Sequence, residues 1–327
     1  MITRAQMRPR SHAHPPTLSA ALEMVESRLA AQLKSRENLL SDISNYLIGS
    51  GGKRVRPTVT LLVFLACGGR ELRDIVDAAA ALELIHSASL LHDDIIDGSD
   101  VRRSKDSAYR KYGLANALVT GDFIFSRAFQ LCARFEEKLI NWAAEACISL
   151  TEGEAMQSRF RHNPRVTFQD YIEIISRKTA SIFQQGGRTA AYLAEAAEPV
   201  VEAMAACGFN VGMTFQIVDD LLDVEGTEKR LGKPVGIDLR DGNPSLPIVL
   251  AIRRDAEVAR AFESHQLSEG DIQHVLARIR ASGVLTEAHA LAAQYGERAR
   301  RALAILPASP EKDEVAAVID QLLHRTE

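Results

Sequence analysis

The stretch that decides the fold reads AAAALELIHSASLLHDDIID and covers residues 78–97. It is rich in Ala and Leu and contains no Gly or Pro, the two residues that most disfavour a helix interior. A long apolar run of this kind predicts a buried helix. The run ends in Asp93-Asp94-Ile95-Ile96-Asp97, so we expect a core helix that carries carboxylates in its final turn.

A second acidic cluster, Asp219-Asp220-Leu221-Leu222-Asp223, has the same spacing. Within each cluster, carboxylates at positions i and i+4 lie one above the other on a helix face. These carboxylates repel each other, and the repulsion is stronger beside apolar neighbours. We therefore expect a bound cation to neutralise their charge. We expect Mg²⁺, because it binds through one or two carboxylates together with waters and substrate phosphates. One cluster alone is more often a solvated helix end, but two in an apolar helical setting favour a diphosphate held between metal ions.

The rest of the chain also favours helices. One apolar stripe with helical spacing consists of Leu18, Leu22, Val25, Leu29 and Leu33. The segment from Val59 to Ala66 has the composition of a strand, but its surroundings are helical and we expect a helix. Ser309 and Pro310 are typical of the start of a last helix. No linker divides the chain, so we predict an all-α protein with one large domain over 17–327 and a flexible tail over 1–16.

Composition and charge exclude several functional classes. The chain has 327 residues, 46% hydrophobic and 6% aromatic, with a formal net charge of -4. A negative balance argues against a nucleic-acid binder. The four cysteines lie far apart, so neither a disulfide framework nor a zinc site is expected, and a reducing cytoplasm fits best. The first residues lack the apolar core of a signal peptide, and we expect neither secretion nor membrane insertion.

Basic and polar residues form a third group. They are Lys53, Arg54 and Arg56 in a glycine-hinged loop, Arg102 and Arg103 after the first acidic cluster, the pair Lys178 and Thr179, and Lys233 in a glycine-rich loop that also contains Asp238. Arg binds phosphate through a planar fork and Lys acts as a compact charge. Each residue alone is more often a solvated surface group. Together with two acidic clusters they favour a diphosphate site.

The order of these motifs resembles that of the trans-isoprenyl (polyprenyl) diphosphate synthases, long-chain type, from roughly Leu39 to Leu250. The matching motifs are Gly51-Gly52-Lys53-Arg54-Val55-Arg56-Pro57, His86, Asp93 to Asp97 with Arg102-Arg103, Gly121-Asp122, Lys178-Thr179, Phe215 to Asp220 and Gly232-Lys233-Pro234. The resemblance implies a large helical bundle around a central cavity, the isoprenoid synthase fold. It also implies a prenyltransferase that condenses isopentenyl diphosphate with an allylic diphosphate by Mg²⁺-assisted ionisation, condensation and elimination.

The resemblance assigns a role to each matching residue. Isopentenyl diphosphate would be held by Lys53, Arg56, His86 and Arg103. The allylic diphosphate would be held or flanked by Arg102, Lys178, Thr179, Gln216 and Lys233. Direct metal ligands would be Asp93, Asp97 and Asp219, supported by Asp94, Asp220, Asp223 and Asp238. The catalytic group is therefore expected to be Asp93, Asp97, Asp219, Lys178 and Arg102.

The resemblance also implies a homodimer formed through helices such as 115–135, and transient membrane contact during release of an apolar product. Two positions depart from the family pattern: Ser104 replaces a common Gly, and Asn243 replaces a common Lys. Some long-chain members resemble this version of the second motif. The change at Asn243 weakens the expectation of a diphosphate contact there.

Product length is expected to depend on residues just before the first acidic cluster. Ser89 lies one helical turn before Asp93, and Ala88 is beside it. By the same resemblance, bulky aromatic residues at these two positions would form the floor of the channel in short-chain members, whereas Ala88 and Ser89 would leave the channel open. We therefore expect a hexaprenyl to decaprenyl product whose stop lies deeper than Ile85, although small residues also serve close helix packing.

Three alternatives stay open at this stage. The first is a short-chain farnesyl or geranylgeranyl diphosphate synthase. The second is a class I terpene cyclase, which usually has a different second metal motif. The third is a non-catalytic subunit of a two-component prenyl synthase, in which the acidic motifs are usually degraded. Both clusters are complete here, which opposes the last two.

Overall fold

The computed structural model describes residues 17–49, 52–102, 105–226 and 235–325. In these ranges the chain forms sixteen α-helices, one π-helical segment and one two-stranded antiparallel sheet. The helices are α1 Leu18–Gln32, α2 Asn38–Ile48, α3 Val55–Ala66, α4 Leu72–Asp97, α5 Ala108–Tyr112, α6 Leu114–Cys132, α7 Glu137–Phe160, α8 Phe168–Ile175, α9 Ser181–Leu193, α10 Glu198–Glu225, α11 Ile237–Asp241, α12 Leu246–Ala251, α13 Ala256–Glu263, α14 Glu269–Ala281, α15 Val284–Leu303 and α16 Pro310–Leu323. The predicted all-α class is confirmed.

Local signals in the sequence set several helix ends. The Thr17 hydroxyl accepts a hydrogen bond from the Ala20 amide at the start of α1. Thr167 and Asp170 form a reciprocal capping box at the start of α8. Ser309 caps α16, with Pro310 in its first turn, as the sequence predicts. The expected helix over Val59 to Ala66 is also confirmed, since it lies within α3.

The helix α4 runs through the core. Most of its residues are buried, including Ala79 and Ala80 with no exposed surface. It packs against α6, α1, α3 and α9. Two helices, α4 and α10, are long and apolar enough to cross a membrane by composition, but 83% and 56% of their most apolar windows are buried inside the protein. Burial in the core accounts for their apolar character.

Glycines bring α9 and α10 into close backbone contact. A Cβ atom at Gly208 would lie 2.1 Å from the Phe183 carbonyl oxygen, and one at Gly187 would lie 2.2 Å from the Met204 carbonyl oxygen. No side chain fits at these positions without moving the backbone. The close approach fixes the position of α10, which carries the second acidic cluster.

Two features of the fold were not expected from the sequence. Two short strands, β1 Val101–Arg102 and β2 Lys105–Asp106, pair in antiparallel fashion a few residues after α4. A π-helical segment, Ser176–Ala180, joins α8 to α9 without interrupting the helix. Such π-helical segments often mark functional sites in helical proteins.

Candidate active site

Both acidic clusters face the same cavity. Asp93 and Asp97 from α4, and Asp219 and Asp220 from α10, line a space of about 260 Å³. A larger cavity of about 610 Å³ adjoins it and shares Asp93 and Asp219. The further residues common to both cavities are Arg102, Lys178, Thr179 and Gln216. Residues that lie far apart in sequence are thus brought together around one site.

In the first cluster, each carboxylate faces a different cation. Asp94 accepts a hydrogen bond of 2.5 Å from Arg102, Asp97 lies 3.1 Å from the Arg161 guanidinium, and Asp93 lies 3.6 Å from the Lys178 ammonium. Burial raises the pKa of Asp93 to about 7, although Lys178 partly offsets the effect. Burial raises the pKa of Asp94 and of Asp97 as well.

In the second cluster, two carboxylates are committed to protein groups and one is more open. Asp220 accepts hydrogen bonds from the Tyr171 hydroxyl at 2.7 Å, the Gln216 amide at 2.8 Å and the Leu246 backbone at 3.0 Å. Asp223 accepts from the backbone amides of residues 237 and 238 and so anchors the start of α11. The side chain of Asp219 is 40% exposed and lies 3.4 Å from Arg325.

The π-helical segment carries Lys178 and Thr179 into the site. The Thr179 hydroxyl donates a 2.8 Å hydrogen bond to Gln216, which in turn donates to Asp220. Burial opposes the charge of Lys178, but attraction to Asp93 and Glu154 outweighs it and raises the pKa of Lys178. The ammonium therefore stays charged between the carboxylates of Asp93 and Glu154.

The basic loop before α3 lies on the other side of the larger cavity. Lys53, Arg56 and His86 line this cavity. The Arg56 guanidinium lies 5.1 Å from the ring centre of Phe183 and 5.6 Å from that of Phe215. Its Nε atom is buried and has no hydrogen-bond partner, so it is available to an anionic ligand.

Arg54, within the same loop, instead contacts protein groups. It has a left-handed backbone conformation with φ of 46°. Its side chain lies 2.5 Å from Glu26 and 3.0 Å from Glu83 and also donates to the Ile48 carbonyl oxygen. These contacts tie the loop to α1, α2 and α4.

The carboxylates suit a hard divalent cation held jointly with a ligand. Among the described residues, no three acidic, His or Cys side chains converge on one point to form a ready cage. The two clusters face each other across the cavity instead, and one buried oxygen of Asp94 has no hydrogen-bond partner. Mg²⁺ commonly binds in this way, through few carboxylates and the oxygens of a bound phosphate.

Comparison with known proteins identifies the family. The family model for polyprenyl synthetase matches residues 37–279. The chain belongs to the polyprenyl synthetase family.

The relatives of this polyprenyl synthetase are similar over most of their length. The chain is 36% identical to octaprenyl diphosphate synthase of Haemophilus influenzae, covering 89% of this chain and 90% of that protein. It is 33% identical to a short chain isoprenyl diphosphate synthase of Methanothermobacter thermautotrophicus, covering 93% and 96%. The crystal structure of a Caulobacter crescentus polyprenyl synthase with calcium and isoprenyl diphosphate superposes with a TM-score of 0.90 at 33% identity, covering 94% and 96%. The predicted isoprenoid synthase fold and prenyltransferase class are confirmed.

The other predicted site residues of the polyprenyl synthetase fall into three groups: those outside the described residues, those packed in the core, and Ser89. Arg103 and Lys233 fall outside the described residues. Ala88 and Ile85 have no exposed surface and pack in the core, whereas Ser89 lines the larger cavity. Ser89 also borders a side cavity of about 230 Å³ between α4, α6 and α7, where Phe125 and Leu150 form part of the apolar wall.

The structure adds residues that the sequence motifs do not include. Glu154 forms an ion pair with Lys178, and Arg161 forms one with Asp97. Tyr171 donates a hydrogen bond to Asp220, and Arg325 forms an ion pair with Asp219. Only Glu154 left a usable signal, because it is a charged residue on the otherwise apolar face of α7. The others act through contacts that no local pattern indicates.

Proposed function

We propose that this polyprenyl synthetase condenses isopentenyl diphosphate with an allylic diphosphate in a Mg²⁺-dependent reaction. The observation that supports it best is the single site in which two acidic clusters and a group of basic side chains line adjoining cavities. The basic residues that would bind diphosphate are Lys53, Arg56, His86, Arg102 and Lys178. Such a site suits two diphosphates, one of which must leave as an anion.

The allylic diphosphate belongs on the acidic side of the site. Asp93, Asp97 and Asp219 would hold Mg²⁺, which would neutralise the departing diphosphate. Lys178 and Arg102 would stabilise the same developing negative charge as the carbon–oxygen bond breaks. Thr179 and Gln216 would orient the phosphate oxygens, since they already form one hydrogen-bonded chain to Asp220.

Isopentenyl diphosphate belongs beside the basic loop, where Lys53, Arg56 and His86 would hold its diphosphate. Its double bond attacks the allylic cation, a new carbon–carbon bond forms, and the loss of a proton restores an allylic diphosphate. The released diphosphate would accept that proton. Apolar groups such as Phe215 and Leu90 line the same cavity and would keep water from the cation.

A long product, hexaprenyl to decaprenyl, agrees with the open space beside Ser89. The octaprenyl diphosphate synthase relative supports this length, and the short-chain relative keeps a farnesyl or geranylgeranyl product as the alternative. Release of such an apolar product would involve transient membrane contact. The cysteines are free thiols in the described residues, which supports a reducing cytoplasmic location.

The proposed homodimer would form through α6. Leu114, Leu118, Val119 and Phe129 are large apolar residues of this helix that are at least 42% exposed. A two-fold contact along α6 would bury them. The helix lies almost entirely within the range 115–135 predicted from the sequence.

The proposal is tested by incubating the purified protein with isopentenyl diphosphate, Mg²⁺ and one allylic primer at a time. Products are dephosphorylated and sized by mass spectrometry. We expect elongation with Mg²⁺ and none with excess EDTA. Full elongation in EDTA would refute the metal-dependent reaction, and no elongation with any primer would refute the proposed activity.

A further inference from the structure

Glu154 is a buried carboxylate that the motifs leave unassigned. It lies on α7, is 7% exposed, and borders the side cavity next to Asp93. Its carboxylate forms an ion pair with the Lys178 ammonium. A buried charge is costly unless it is paired, so the contact with Lys178 is the reason this glutamate is tolerated there.

The backbone brings the two residues together. At Gly153, a Cβ atom would lie 2.6 Å from the Lys178 backbone nitrogen and 3.0 Å from the Arg177 Cβ. The absent side chain lets α7 touch the π-helical segment Ser176–Ala180 directly. Glu154, the next residue, is thereby placed beside the side chain of Lys178.

Lys178 needs such a partner because its side chain is long and flexible. Its ammonium has two described carboxylate neighbours, Glu154 on α7 and Asp93 on α4, and the Asp93 contact is 3.6 Å long. Asp93 is also a proposed metal ligand. If Asp93 coordinates a metal ion, the ion pair between Glu154 and the Lys178 ammonium would remain, because Glu154 is not among the proposed metal ligands.

We propose that Glu154 is a positioning residue that fixes the Lys178 ammonium where the allylic diphosphate binds. It acts through Lys178 and does not itself touch the substrate. The inference rests on the proposed function, because the Glu154–Lys178 contact has this role only if Lys178 binds the allylic diphosphate.

The test compares Glu154→Gln with Glu152→Gln as a matched control. Glu152 lies on the same helix and is 3.1 Å from Arg177, the neighbour of Lys178, but its side chain is 56% exposed. We expect Glu154→Gln to lower kcat/KM for the allylic substrate by about 10–100-fold, as loss of a supporting contact commonly does. KM for isopentenyl diphosphate should stay unchanged, and Glu152→Gln should behave as the wild type.

A double-mutant cycle separates positioning from a general structural effect. In a Lys178→Met background, Glu154→Gln should have little further effect, because its target is gone. Additive losses would overturn the proposal, as would wild-type kinetics of the single variant. If Glu154→Gln does not fold, Glu154→Asp decides. It keeps the charge but shortens the reach, so an intermediate loss supports positioning and wild-type kinetics overturn it.

Failure of this inference differs from failure of the proposed function. A wild-type protein that elongates no primer refutes the function itself. An active wild type whose allylic kinetics do not respond to Glu154→Gln refutes only the role of Glu154.

Discussion

Replacing Ser89 with tyrosine should shorten the product. Ser89 lies one helical turn before Asp93, about 6 Å along α4 at ~1.5 Å per residue. It borders both the larger cavity and the side cavity. Its hydroxyl donates a 2.8 Å hydrogen bond to the His86 carbonyl oxygen within the same helix. The substitution therefore removes only a local contact and adds a ring to open space.

The structure favours Ser89 over Ala88 as the position to change. Ala88 has no exposed surface and belongs to the packed core, so Ala88→Phe should cost about 1–3 kcal/mol of stability through overpacking. Ser89→Tyr should cost no more than about 1 kcal/mol, because the ring enters a cavity. A change in product length for Ser89→Tyr can then be interpreted without the loss of core stability expected for Ala88→Phe.

The assay sizes the dephosphorylated products and measures the rate of the first condensation separately. We expect Ser89→Tyr to stop at farnesyl or geranylgeranyl diphosphate, with the first condensation within about tenfold of the wild type, whereas Ser89→Ala should keep the wild-type length. Full-length product from Ser89→Tyr would refute the reasoning, since the tail would not pass this point. A wild type that itself stops at a short product would refute the long-chain expectation.

Four further predictions concern metal binding, stability, the basic loop and the dimer. Asp219→Ala should lower kcat by at least about 10²–10³-fold with an unchanged circular dichroism spectrum; near-normal turnover would count against its metal role. Asp77 is 1% exposed and paired with Arg28 and Arg134, so Asp77→Asn should lower the free energy of unfolding in urea by about 1–3 kcal/mol while kcat is kept, and unchanged stability would contradict this. Arg54→Ala should raise KM for isopentenyl diphosphate about tenfold by releasing the loop, and an effect on the allylic substrate alone would argue otherwise. Val119 is 53% exposed; Val119→Glu should shift the light-scattering mass from a dimer towards a monomer, and a monomeric wild type or an unchanged dimer would contradict the α6 interface.

The sequence was sufficient for features that depend on local spacing. Carboxylates at i and i+4 in two apolar helices predict two acidic faces, and both faces line one cavity in the structure. The helical character of Val59 to Ala66 depended instead on its surroundings, because its own composition favours a strand. Burial on α3 explains that composition, since nearly all of these residues are enclosed by other helices.

The sequence was not sufficient for contacts between distant elements. Tyr171 and Asp220 are 49 positions apart, and Arg325 and Asp219 are 106 positions apart. No periodicity relates such pairs, because the packing of helices brings them together. The π-helical segment is equally hidden, since one additional residue in a helical turn leaves the apolar pattern on either side intact.

That segment acts as a phase shift within a continuous helix. Successive side chains of an α-helix point about 100° apart. The wider π-helical turn changes this phase, so the contact faces of α8 and α9 need not lie on one continuous stripe. Tyr171 on one side can reach Asp220, while Phe183 on the other packs against Phe215 of the same neighbouring helix. Removing a single residue between Ser176 and Ala180 would restore a regular helix and misalign one of these two faces. The packing of these helices should therefore tolerate substitutions in this turn far better than a change in its length.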